Sequence, residues 1–140
     1  MSSRLKIAFF VRFLPPVRDG VGEYTWHLVN SLRQLGIDAR IFTSRNQVIS
    51  REAENWIYPV ISQWRGQEVS RAISTVHDFQ PDWCSFQFVP QMYGRRSICW
   101  NASQIPIVLK EKIRSKVAVT FHEFAWHPSL NPTDIVRSGI

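Results

Sequence analysis

The chain is poor in cysteine, with only Cys84 and Cys99 among its 140 residues. The separation of these two thiols matches no common zinc-binding spacing, so a metal site on them is not expected. Cys84 stands in an alternating apolar run and is predicted to be a buried thiol rather than half of a redox pair.

Long apolar runs are also missing. No run approaches the roughly 20 residues that a membrane-spanning helix needs, and no signal peptide is recognisable, so the cytoplasm is the default compartment. Hydrophobic residues nevertheless make up 44% of the chain and aromatic residues 13%, which is enough for a core and argues against disorder. This length predicts one domain spanning residues 1–140.

Acidic residues are scarce relative to basic ones, 11 against 17, and the formal net charge is +6. Thirteen of the basic residues are arginines, whose planar guanidinium favours paired hydrogen bonds to phosphate or carboxylate. Such a charge suits nucleotide phosphates, anionic lipid headgroups or nucleic acid, and an ordinary solvated basic surface is the alternative. Only Arg95 and Arg96 are adjacent, and no nucleic-acid-binding motif is present, so we expect no nucleic-acid partner.

The first third of the chain has the pattern of a βαβ unit. A nearly continuous apolar run predicts a buried strand over Lys6–Phe13. A helix over Gly22–Leu35 follows, and Gly36 suits the left-handed residue that closes a helix. Asp38–Thr43 is the second strand, which the crossover places parallel to the first. The helix is predicted to turn one apolar stripe to the core, formed by Tyr24, Leu28, Leu32 and Leu35.

The same alternation continues to the end of the chain. Further strands are predicted over Trp56–Val60, Asp82–Val89 and Val117–Phe121. Helical spacing joins two more apolar sets, which are Val69, Ile73, Val76 and Phe79, and then Ile105, Leu109 and Ile113. The sequence therefore predicts a Rossmann-like, doubly wound α/β domain with a mostly parallel sheet. Few residues follow the last strand, so we expect an incomplete domain.

Ligands of open α/β sheets bind at the carboxyl ends of the strands, and three loops there carry candidate residues. Gly20 and Gly22 precede a helix and either admit a phosphate or only permit a tight turn. The full dinucleotide-binding glycine motif fails, because Thr25 stands at its third position. Gln87, near the end of its strand, either bonds a ligand or satisfies a neighbouring backbone group.

The third loop contains His122 and Glu123, directly after a predicted buried strand, and Glu123 is a candidate for binding the substrate or donor. A histidine in that place either contacts a substrate hydroxyl or phosphate, or has a structural role. His27 and His77 lie on predicted helices, where no function is expected.

Taken together, these segments resemble a known family. The segment PPVRDGVGEYTWHLVNSLRQLG is similar to the opening loop and first helix of retaining, family 4 glycosyltransferases with the GT-B fold. PDWCSFQFVP and VAVTFHE resemble two later strands of that family. The three segments occur in the family's order and cover residues 6–124.

The resemblance implies one half of a two-domain enzyme, in which the amino-terminal half mainly binds the acceptor. By position, Gly20 and Gly22 would approach the phosphates or sugar of a nucleotide-sugar donor, Gln87 would line the acceptor side, and His122 would contact the transferred sugar. The acceptor would be a hydroxyl of a sugar or of a lipid-linked molecule. No metal or cofactor is implied, because the donor phosphate is thought to assist attack by the acceptor hydroxyl.

The chain departs from the family in two ways. Asp19 stands where consecutive glycines are common, so that Arg18 or Arg12 would have to offset its charge near a phosphate. The family's donor-binding half has no counterpart here, so we expect turnover only with that half, whether from a longer chain or from a partner subunit.

Two other functions remain open at this point. One is a stand-alone binding or regulatory module for an anionic ligand or partner protein. The other is peripheral membrane contact, which is compatible with transfer to a lipid-linked acceptor. A basic and aromatic surface would carry that contact, formed by Arg95, Arg96, Trp100, Ile105, Lys110, Lys112 and Arg114. An ordinary helix with one solvated face is the alternative.

Overall fold

Five parallel strands form a single sheet in the computed structural model, which describes residues 4–93 and 100–122. The strands are β1 (Lys6–Phe10), β2 (Asp38–Ser44), β3 (Ile57–Ile61), β4 (Trp83–Phe88) and β5 (Lys116–Phe121). The helices are α1 (Gly20–Gln34), α2 (Gly66–Arg71), α3 (Ile73–Phe79), α4 (Pro90–Tyr93), α5 (Trp100–Ser103) and α6 (Ile105–Ile113), with a short 3₁₀ helix at Arg51–Ala53.

The strand order is β3-β2-β1-β4-β5, and every neighbouring pair is parallel. Helices flank the sheet, so the predicted Rossmann-like, doubly wound α/β fold is confirmed. The chain runs outward from β1 in one direction through β2 and β3, and then in the other through β4 and β5. The loops after β1 and β4 therefore diverge, which opens a crevice at the carboxyl edge where such folds bind ligands.

A row of phenylalanines forms the centre of the core. The sheet register aligns Phe10 with Phe42 on one side and with Phe86 on the other, and all three are fully buried. Phe10 and Phe42 stack with ring centroids 5.4 Å apart. Ile105 and Leu109 of α6 are also fully buried. Burying side chains of this size stabilises the fold by roughly 1.5–3 kcal/mol each.

The predicted core-facing stripe of α1 is wrong at both ends. Tyr24 is 48% exposed and Leu35 is 79% exposed, while the buried residues of this helix are Gly22, Thr25 and Val29. The cause lies at Gly22, where a Cβ atom would overlap the backbone carbonyl of Phe13. Because α1 approaches Phe13 so closely at Gly22, the face of α1 that carries small residues packs against the sheet.

Several predicted segments differ in extent. β1 ends at Phe10 instead of Phe13, because the chain then bends into a loop. The hydroxyls of Thr43 and Ser44 hold that loop by donating to the backbone carbonyl of Arg12, at 3.2 and 2.8 Å. Two helices, α2 and α3, replace the single helix expected before β4.

β5 is only half-buried, although a buried strand was predicted. Among the described residues it lies at one end of the strand order, with β4 as its single neighbouring strand. Other details follow the sequence analysis. Gly36 is left-handed, with φ of +86°, and Cys84 is a buried free thiol. No helix in the described ranges has the length and apolarity needed to cross a membrane.

Candidate functional site

The carboxyl edge of the sheet brings His122 and Gln87 into direct contact. Gln87 lies one residue before the end of β4, and His122 follows β5 immediately. The two strands are adjacent, and the backbone N–H of His122 donates to the carbonyl oxygen of Phe88 at 3.2 Å. This backbone bond continues the ladder past β5 and fixes the histidine beside β4.

The Gln87 side chain is 1% exposed, and both ends of its amide are bonded. Its Nε2 donates to the hydroxyls of Ser85, at 2.9 Å, and Thr120, at 3.3 Å. Its Oε1 lies 2.8 Å from Nε2 of His122. The amide is thus a buried link between two strands and the histidine, rather than a group that satisfies the backbone.

This arrangement selects one tautomer of His122. The atom of Gln87 that faces His122 is the amide oxygen, which carries no hydrogen and can only accept, so His122 must donate from Nε2. In the neutral ring Nδ1 is then the hydrogen-bond acceptor. Burial lowers the pKa of His122, and the charge of Asp19 partly offsets this effect. A neutral imidazole with a free acceptor suits a substrate hydroxyl better than a phosphate, which requires donors.

Tyr24 forms another wall of this site. Its ring meets the His122 ring edge-on, with centroids 5.1 Å apart. The exposure of Tyr24, which contradicts the predicted stripe, places a phenol beside the histidine at the mouth of the crevice.

The start of α1 is already capped by a protein carboxylate. Asp19 accepts from the backbone N–H of Gly22 at 2.6 Å through its side chain and from that of Glu23 at 2.9 Å through its carbonyl. Gly22 is thus held against Phe13, whereas Gly20 is exposed, with nothing within 4 Å of an added Cβ. A negative charge at a helix start is stabilising, but it competes with a ligand phosphate.

Neither arginine that could offset this carboxylate pairs with it. The ion pairs formed within residues 4–93 and 100–122 involve Arg33, Arg40 and Arg71, and none involves Asp19. Arg12 instead donates to the backbone carbonyl of Met92.

The other histidines and the last predicted site residue lie elsewhere. His27 and His77 are exposed on α1 and α3. Glu123, predicted to contact substrate, lies outside the described residues. In the described ranges, no group of three or more histidine, cysteine or acidic side chains is arranged to hold a metal ion.

A second cavity, which the sequence analysis did not predict, opens at the carboxyl ends of β1, β2 and β3. It has a volume of about 880 Å³ and is lined by Arg12, Arg45 and Arg65, here called the arginine cleft. Each arginine follows a different strand within four residues. The three arginines are not clustered along the chain. The sequence feature that could have predicted the cleft is an arginine shortly after each of three strands.

The proposed membrane surface is only partly present. Trp100 is 75% exposed, and Lys110, Lys112 and Arg114 are exposed on or after α6. Ile105 is fully buried, so its assignment to that surface is wrong. Its place in the first turn of α6 points it into the core. Arg95 and Arg96 lie outside the described residues.

Comparison with protein-family models, with curated proteins and with solved structures gives no match to this chain.

Proposed function

We propose that this chain is the acceptor-side half of a glycosyltransferase that moves a sugar from a nucleotide-sugar donor to a hydroxyl group. The observation that carries the proposal is the pairing of His122 with buried Gln87 at the carboxyl edge of the sheet. The pairing supports a neutral histidine with a fixed acceptor atom, which is what recognition of a sugar hydroxyl needs.

In this proposal His122 orients the transferred sugar through Nδ1, and Gln87 positions the ring of His122 without touching substrate. Tyr24 offers an aromatic wall beside them. Because Asp19 occupies the start of α1, donor phosphates are bound mainly by a second half, from a longer chain or a partner subunit. Catalysis then rests on positioning and charge stabilisation.

The test is a turnover assay on the natural reading frame that encodes these residues, with a panel of UDP-, GDP- and ADP-sugars. Loss of one hydrogen bond to the reacting sugar is expected to lower kcat by about 10²-fold in His122→Ala. His77→Ala removes an exposed histidine from α3 and is the matched control. Full activity of His122→Ala, or no turnover of any donor by the wild type, would sink the proposal.

The arginine cleft favours a second candidate function, a binding module for an anionic ligand. Such a module would bind its ligand at the cleft and give no turnover with any donor. The same assay therefore separates the two functions.

A further inference from the structure

The arginine cleft gathers positive charge from three separate segments of the chain. Arg12 lies two residues beyond β1, Arg45 follows β2 directly, and Arg65 lies between β3 and α2. Since parallel strands end at one edge, the fold brings together side chains that are far apart in sequence. A volume of about 880 Å³ lies within the range of small-molecule sites.

The positive charge of the cleft is not balanced by a carboxylate in the lining itself, as far as the described residues go. No carboxylate is found among the described residues that line the cleft, and none of the ion pairs found there involves Arg12, Arg45 or Arg65. Glu68 lines an adjacent cavity with Arg45, but it is paired with Arg71. By contrast, Arg33 and Arg40 on the other side of the molecule both lie within 4 Å of Asp38. Three like charges around one cavity repel one another unless an anion joins them.

One wall of the cleft is ordered in advance. Arg12 donates to the Met92 carbonyl and lies over the Phe13 ring, with its guanidinium carbon 5.0 Å from the ring centroid. The Trp64 indole donates to the Ser44 hydroxyl at 2.9 Å, and that hydroxyl donates to the Arg12 carbonyl. A guanidinium held in this way loses little side-chain entropy when a ligand binds.

We propose that the arginine cleft binds the phosphate group of a phosphorylated, hydroxyl-rich small molecule. A phosphate monoester carries a charge of about −1.5 to −2 and three acceptor oxygens, which match several guanidinium groups better than one carboxylate does. The exposed side chains of Asn46, Gln63 and Asn101 line the same cleft and offer amide donors and acceptors for ligand hydroxyls. The identification of this ligand as the sugar acceptor rests on the proposed function. Binding of the phosphate at the cleft does not depend on that function.

The test is calorimetric titration of the 140-residue chain with inorganic phosphate, glucose 6-phosphate, glucose and UDP. Glucose 6-phosphate is expected to bind, and to bind more tightly than glucose. Its affinity is expected to fall as the salt concentration is raised. Arg45→Gln and Arg65→Gln each remove one charge-assisted contact and are expected to weaken its binding by about tenfold or more. Arg51→Gln removes another exposed arginine, which lies outside the cleft, and should leave binding unchanged.

Equal binding by all three variants would overturn the proposal, as would tighter binding of UDP than of glucose 6-phosphate. Vesicles with and without phosphatidylserine form a separate arm. If Arg45 and Arg65 affect only vesicle binding, the cleft is part of a membrane surface and the proposal is wrong. Phosphate binding without sugar transfer would overturn only the proposed enzyme, and transfer that is insensitive to the two arginines would overturn only the claim that the bound phosphate compound is the sugar acceptor.

Discussion

Replacing Gln87 by glutamate is expected to raise the pKa of His122, because a negative charge would then lie beside its ring. In the wild type, burial lowers that pKa. In Gln87→Glu a carboxylate would stand where Oε1 now lies, 2.8 Å from His122 Nε2. An opposite charge this close raises a histidine pKa by about 1–3 units. His122 is only half-buried, so solvent screening favours the lower part of that range, about 1–2 units.

The sign of the stability change follows from this shift. The lowered pKa of wild-type His122 means that the unfolded chain binds more protons, so stability falls as the pH drops below the ordinary histidine value. A raised pKa in Gln87→Glu has the opposite effect, and the folded variant gains stability as the pH falls through that pKa. The contributions of His122 to stability are therefore expected to diverge as the pH falls, with Gln87→Glu gaining stability relative to the wild type.

The assay is an NMR titration of the histidine side chains, with His27 and His77 as exposed internal references. Gln34→Glu adds the same charge at the exposed end of α1 and is the control variant. If His122 titrates alike in both variants, the hydrogen bond to Gln87 is refuted. Long-range proton–nitrogen spectra of the wild type should show the Nε2–H tautomer, and the other tautomer would refute the assigned donor.

Three further predictions concern neighbouring residues. Gly22→Ala is expected to lower the free energy of unfolding by about 1–3 kcal/mol, since its methyl group overlaps a backbone carbonyl. Gly20→Ala, which meets no neighbour, should change it by less than about 1 kcal/mol, and equal effects in urea melts would contradict the packing argument. Asp19→Asn keeps the helix cap but removes a charge, so the pKa of His122 should fall further by NMR titration. An unchanged pKa would show that this charge does not reach the ring. Burial raises the pKa of Cys84 to about 11, so mass-spectrometric mapping should find Cys84 unmodified by iodoacetamide until urea unfolds the chain. Rapid labelling of the native protein would contradict its burial.

The strands and most helices could be predicted because their signal is local. The apolar run at β1 predicts a central strand whatever lies beside it, and Gly36 ends α1 by its own backbone preference. The face of α1 could not be found in this way. Hydrophobic spacing favours Tyr24 and Leu35, whereas packing at Gly22 decides which side meets the sheet.

The candidate site could be predicted residue by residue but not as an arrangement. Position at strand ends indicated Gln87 and His122, and the adjacency of β4 and β5 then brings them within 2.8 Å. The arginine cleft depends on strand order in the same way, because Arg12, Arg45 and Arg65 belong to three segments that only the sheet unites. The glycosyltransferase resemblance stays a prediction.

The buried hydroxyl of Tyr93 has a consequence for anyone who redesigns this protein. It donates to the backbone carbonyl of Gln87 at 2.7 Å, and Tyr93 also lines the arginine cleft together with Arg12. One phenol therefore joins the histidine pair to a wall of the arginine cleft. Substitutions at Tyr93 or Arg12 would alter two sites at once, so their effects on ligand choice would not be additive. Arg45 and Arg65, which lie on the exposed side of the cleft, are the positions where ligand specificity can be changed independently.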